Sequence, residues 1–87
     1  MRIKEFQDLI RKDYYEHDLA RGTPGTFLWF VEEVGELASA LAGEDHKNKA
    51  EEFADVLAWL CTLANINDVD LETAIEKYTN GKRGGPK

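Results

Sequence analysis

FVEEVGELASALAGEDHKNKAEEFADVLAWL, residues 30–60, holds two runs of mixed apolar and acidic residues on either side of a short polar break. Around the first run, Phe27, Phe30, Val31, Val34, Leu37, Ala38 and Leu41 recur three and four apart, which is one face of a helix. Phe53, Val56, Leu57, Leu60, Leu63 and Ala64 repeat that spacing beyond the break. LAGED at 41–45 interrupts the pattern, and Asp45 stands where a cap for the following helix belongs. Two amphipathic helices joined this tightly fold back on each other as an antiparallel hairpin.

Outward from the hairpin, RGTPG at 21–25 and INDVD at 66–70 cut off two further pieces. Before the first breaker, Ile3, Phe6, Ile10, Tyr14 and His17 follow helical spacing. Thr23 or Thr26 is placed to cap the second helix, with Pro24 in its first turn. After the second breaker, Asp70 is placed to cap a short helix with Leu71, Ala74, Ile75 and Tyr78 facing inward. The expectation is an all-α, four-helix bundle-type subunit built on the central hairpin. Residues 1–80 read as one domain, and 81–87 as a basic, Gly-rich tail that frays unless a partner holds it.

At 87 residues, the chain is near the size at which one core barely outweighs chain entropy, so self-association is expected. The net charge of -6 argues against a nucleic-acid polymer as partner. No stretch reaches the roughly 18 apolar residues of a membrane span, and the start does not resemble a secretion signal. A lone Cys61 rules out an internal disulfide framework and reads as a small packing residue in a reducing, cytoplasmic setting.

The charges are unevenly placed. No Lys or Arg lies between Arg21 and Lys47 or between Lys49 and Lys77, and those gaps hold most of the acids. Glu33 and Glu36 project from one side of their helix, and Glu52 and Asp55 repeat that spacing on the next. If the hairpin turns at Glu44, residues equidistant from it lie level: Glu33 with Asp55, Glu36 with Glu52, and Trp29 with Trp59. A solvated acidic face normally carries Lys or Arg at i+4, and here none is present. Clustered carboxylates without cations raise one another's pKa, and a divalent cation is the economical counter-charge. Neither His17 nor His46 follows a Glu by three, so the donors are all oxygen and suit Mg²⁺ first and Mn²⁺ second.

EEVGE at 32–36 followed by EEFAD at 51–55 closely resembles the EExxE and ExxD motifs of the MazG-like all-α nucleoside triphosphate pyrophosphatases. The likeness runs from the first helix through LANINDVDLETAIEKY to the tail, and fits the short, single-domain members. It implies Mg²⁺-dependent hydrolysis of a nucleoside triphosphate to the monophosphate and pyrophosphate, in nucleotide-pool housecleaning. It also implies that Glu33, Glu36, Glu52 and Asp55 hold the metal and that Glu32 positions or deprotonates water. Lys77, Asn80, Lys82 and Arg83 match the family's basic segment near the phosphates. A dimer or dimer of dimers, with sites built partly between subunits, is implied as well.

Trp59, one turn beyond Asp55, is placed to stack on a nucleobase, and Trp29 to form the opposite wall; the competing reading makes each a core filler. Tyr14, Tyr15 and His17 read as packing and surface residues, and Asn65 as a helix-end cap. Three alternatives stand beside the hydrolase. They are a non-catalytic dimeric module whose acidic groove binds nucleotide or a basic partner, a degenerate relative that binds without cleaving, and a related chemistry such as phosphoribosyl-ATP hydrolysis.

Overall fold

The computed structural model describes residues 1–79, which places Asn80 and the tail at 81–87 outside the described residues. Regular structure among them is helical throughout: α1 (Ile3–Ala42), α2 (His46–Ile66), α3 (Leu71–Ala74) and α4 (Glu76–Thr79). No helix of this set is long and apolar enough to cross a membrane.

The RGTPG breaker bends α1 instead of ending it. Gly22 alone leaves helical geometry, at φ 82° and ψ 167°, a conformation that L side chains rarely adopt. Pro24 then falls in the first turn of the second arm, where its missing N–H costs nothing. Neither threonine caps that arm: Thr26 Oγ1 accepts from Arg21 Nε, and Thr23 Oγ1 accepts from Asn67 Nδ2. A Cβ on Gly22 would meet only Pro24 Cδ at 3.9 Å, so the penalty for adding one is backbone strain, not crowding. Gly22→Ala is therefore expected to lower unfolding free energy by about 1–3 kcal/mol in urea titrations.

The second arm and α2 form the expected hairpin. Gly43 donates its N–H to the Ala40 carbonyl at 3.0 Å, closing the first helix. Asp45 then accepts from the Asn48 N–H at 3.2 Å, opening the next. The register pivots on Glu44 as the mirror argument requires, because Trp29 and Trp59 come level with ring centres 6.3 Å apart and planes inclined by 15°.

A buried amide fastens the far end. Gln7 Nε2 donates to Asn65 Oδ1 at 3.0 Å and to the Val69 carbonyl at 2.7 Å. Its Oε1 accepts from the Leu71 N–H at 2.9 Å, while Asn65 Nδ2 donates to the Gln7 carbonyl at 3.2 Å. Asn65 is thus a tertiary tie and not a helix cap; that part is taken by Asn67, whose Nδ2 donates to the Leu63 carbonyl. Gln7→Leu removes three of these bonds and strands buried partners. It is expected to cost about 2–4 kcal/mol in chemical denaturation at fixed protein concentration.

The C-terminal piece differs from expectation. Asp70 caps it by accepting from the Glu72 N–H, but the helix breaks at Ile75 into two turns of four residues each. Ala74 and Ile75 are exposed, while Leu71 and Tyr78 are half-buried.

The core of the single chain is thin. Ile10, Ala40, Cys61 and Ala64 are its buried apolar residues. Of the two apolar faces expected to pack, Phe30, Leu37, Val56 and Leu63 are half-buried. By contrast, Phe27, Val31, Val34, Leu41, Phe53, Leu57 and Leu60 stand exposed, with Val31 at 50% and Phe53 at 55%. Leu28, outside both faces, reaches 73%. On the first arm Tyr14 and His17 are exposed, and the polar residues Gln7 and Asp18 are buried instead.

Candidate active site

Two helices bring their acids to one place because each presents a carboxylate pair one helical turn long, and the hairpin sets the pairs opposite each other. Carboxylate oxygens of Glu33, Glu36 and Glu52 all lie within 4.8 Å of one another. Asp55 stands outside that mutual cluster yet close enough for its charge to act on both Glu33 and Glu52. Glu32 is exposed and is not one of the three.

The electrostatics register the crowding. Burial, then a hydrogen bond and the charge of Glu36, then the charges of Asp55 and Glu52, push the Glu33 carboxyl from 4.5 up to about 7. Glu52 is also raised, by desolvation first and by Glu36 and Asp55 next. Glu33 Oε2 is buried without a hydrogen-bond partner. Among the described residues no Lys or Arg pairs with any member of the cluster. A bare buried acceptor, an all-oxygen donor set and unrelieved negative charge fit a hard divalent cation.

A pH dependence follows. Between about 4.5 and 7 the folded metal-free chain holds a proton on Glu33 that the unfolded chain has released. The stability this group contributes is therefore present below 4.5 and lost as pH rises through 7. A divalent ion competes with that proton, so its affinity rises over the same interval. Melting curves with chelator and with Mg²⁺, each referenced to Glu33→Gln, are expected to diverge progressively from pH 5 to 7.5.

Beside the carboxylates, one helical turn further along, a pocket of about 480 Å³ opens between the first arm of α1 and α2. Trp59, Tyr14, His17, Asp18 and Arg21 contribute to its wall. Arg21 is held there closely. It pairs with Asp18, donates Nε–H to Thr26 Oγ1 at 3.1 Å, and lies with its guanidinium carbon 5.0 Å from the Trp59 ring centre. Gly25 makes room for it, since a Cβ there would approach Arg21 Cγ to 3.2 Å.

The two indoles lie against each other, so Trp29 is a neighbour of Trp59 and not a wall standing across an open slot. Tyr14 and His17, read from sequence as packing and surface residues, reach the pocket wall. Asp18 and Arg21 were not singled out at all. The one signal for Arg21 was its place as the last cation before the long acidic gap. Lys77 sits on α4 with its ammonium 5.0 Å from the Tyr78 ring centre and makes no ion pair among the described residues. Asn80, Lys82 and Arg83 lie outside the described residues. Cys61 is fully buried, and burial pushes its thiol up, which keeps it protonated and leaves it a packing role.

None of the curated proteins is similar enough to this chain to be recognised as a relative. A profile of the MazG nucleotide pyrophosphohydrolase domain, however, matches residues 23–83, which take in the second arm of α1, both carboxylate pairs and both indoles. With that match spanning well over half of its length, the chain belongs to the MazG nucleotide pyrophosphohydrolase domain family.

Proposed function

We propose that this chain hydrolyses nucleoside triphosphates to the monophosphate and pyrophosphate, with a divalent cation, Mg²⁺ before Mn²⁺, held by Glu33, Glu36, Glu52 and Asp55. The observation that carries the reading is the meeting of three carboxylates from two helices within 4.8 Å, with no Lys or Arg paired to them among the described residues. When bound, the ion supplies positive charge that neutralises the phosphate chain and acidifies a nearby water. Glu33, Glu36 and Glu52 fix where that charge sits, and so fix where the phosphates lie. Asp55 adds to the field from the next turn. Glu32, one residue before the cluster, orients the attacking water and accepts its proton. The water oxygen bonds to a phosphorus of the α–β anhydride, the bridging P–O bond breaks, and the displaced fragment leaves with the electron pair.

Trp59 gives the base an aromatic surface, with Trp29 backing it. Lys77, Asn80, Lys82 and Arg83 approach the phosphates from the C-terminal end. The working unit is a homodimer or homotetramer in which the exposed faces of the two hairpins pack as a four-helix bundle; support comes from the thin core and from Phe27, Val31, Phe53 and Leu57 left exposed in one chain. Clearing the cytoplasmic nucleotide pool of unwanted triphosphates is the role that follows from the family, and the unpaired, buried thiol suits that compartment.

The test is a panel of normal and modified triphosphates with Mg²⁺, followed by product identification. Pyrophosphate and the monophosphate are expected in equal amounts. Orthophosphate as the first product, or no turnover on any substrate, would sink the reading. Binding without turnover would favour the non-catalytic dimeric module.

A further inference from the structure

The pocket beside the carboxylate cluster contains a further carboxylate that the hydrolytic chemistry leaves unused. Asp18 is 4% exposed, and it forms part of the wall with Trp59. Its Oδ1 accepts from Arg21 Nη2. A bidentate pair would satisfy both oxygens, but the guanidinium commits its Nε–H to Thr26 instead. Asp18 Oδ2 consequently has no hydrogen-bond partner and is closed off from solvent. Buried carboxylate oxygens are seldom left in that state, so the missing donor calls for an outside source.

We propose that Asp18 reads the base of the bound nucleotide, Oδ2 accepting an N–H from the exocyclic amino group of cytosine or adenine. This rests on the nucleotide reading above and deepens it by naming the class of base. A volume of about 480 Å³ suits a base and its sugar, given that small-molecule pockets run from roughly 300 to 1,000 Å³. Ile10, Ala58 and the Trp59 ring supply the apolar wall that a flat heterocycle needs. The terminal torsion of an Asp side chain is soft, so a small turn of the carboxylate brings Oδ2 to the pocket while Arg21 keeps its hold on the other oxygen.

The geometry of base edges then selects. An amino group projects beyond the ring and reaches a recessed oxygen. Uracil and thymine present a carbonyl at that place, and their edge N–H is set back between two carbonyls. Bringing it to Oδ2 drives a carbonyl oxygen against the carboxylate. Guanine offers adjacent donors that match both carboxylate oxygens, one of which Arg21 already occupies.

The decisive measurement uses the wild-type chain with Mg²⁺ and ligands altered by one group. Deoxycytidine triphosphate is compared with its pyrimidin-2-one analogue, which lacks only the amino group. Deoxyadenosine triphosphate is compared with the corresponding unsubstituted purine. Loss of the amino group removes one hydrogen bond to a charged acceptor and is expected to lower kcat/KM by roughly 10- to 100-fold, and the pair that shows the loss identifies the ring. In Asp18→Asn the amide presents a donor in the same outline, so preference should move from the cytosine toward the uracil nucleotide by a similar factor. Circular dichroism checks that variant's fold, and the wild-type comparison stands without it.

Equal kcat/KM within each pair overturns the proposal. The same bases as monophosphates, titrated against tryptophan fluorescence, separate it from the hydrolytic reading. Discrimination in binding without any turnover upholds base reading while hydrolysis fails; hydrolysis with no discrimination in either assay does the reverse.

Discussion

Glu36→Gln is expected to lower Mg²⁺-supported turnover by at least about 10²- to 10³-fold while making the metal-free chain more resistant to heat. The loss reflects one charged ligand removed from a cluster whose oxygens lie within 4.8 Å of one another. Electrostatic contacts of this kind are each worth about 3–4 kcal/mol in the transition state. The gain arises because Glu36 is the largest charged contributor to the raised pKa of Glu33, so neutralising it relieves the repulsion. Steady-state kinetics at saturating Mg²⁺ and a melt with chelator read the two effects separately. Asp55→Asn should show the same opposition with a smaller gain, since Asp55 acts on Glu33 less strongly than Glu36 does. If either variant loses helicity instead, the cluster is a structural element and not a metal site.

The second large effect concerns the uncovered faces. Val31 and Leu57 stand level across the hairpin and are 50% and 40% exposed. On a solvated surface, Val31→Glu or Leu57→Glu would change stability by no more than about 0.5 kcal/mol. Packed against a second copy, each would bury an unpaired charge and forfeit about 1.5–3 kcal/mol of apolar burial, and twofold symmetry counts the loss twice. The expected result is dissociation in sedimentation experiments and a melting temperature that falls and becomes strongly dependent on concentration. Monomeric wild-type chain, or variants that melt like it, would defeat the assembly.

The hairpin was the most legible part of the sequence, because two long periodic runs meet at a Gly followed by an Asp cap, and these signals agree. Its register brings the two indoles level, and Glu33, Glu36 and Glu52 meet across it, while Asp55 stands outside that group. What escaped was polar. Gln7, Asn65 and Asp18 are buried on hydrogen bonds to groups some 60 residues away or to one neighbouring cation, and an apolar periodicity count passes over such residues. Tyr14 and His17 fit the apolar stripe yet stay exposed on the wall of the open pocket, while Gln7, Ile10 and Asp18 are the buried residues of that arm. The stripes of the hairpin were read correctly as apolar, but a pattern cannot say whether the covering surface belongs to the same molecule. The roles given to Lys77, Asn80, Lys82 and Arg83 came from likeness alone, with no geometric constraint to anchor them.

The brevity of the turn at Gly43–Asp45 has a consequence for how this chain can change length. Each carboxylate pair is placed by counting residues outward from Glu44, and one residue inserted on either helix between the turn and its pair rotates everything beyond it by about 100°. That swings one pair out of line with the other and separates the indoles along with it. Additions at the two outer ends disturb neither count. Descendants of this sequence are therefore free to grow at their extremities, while the stretch from Trp29 to Trp59 behaves as a ruler whose graduations cannot be moved singly.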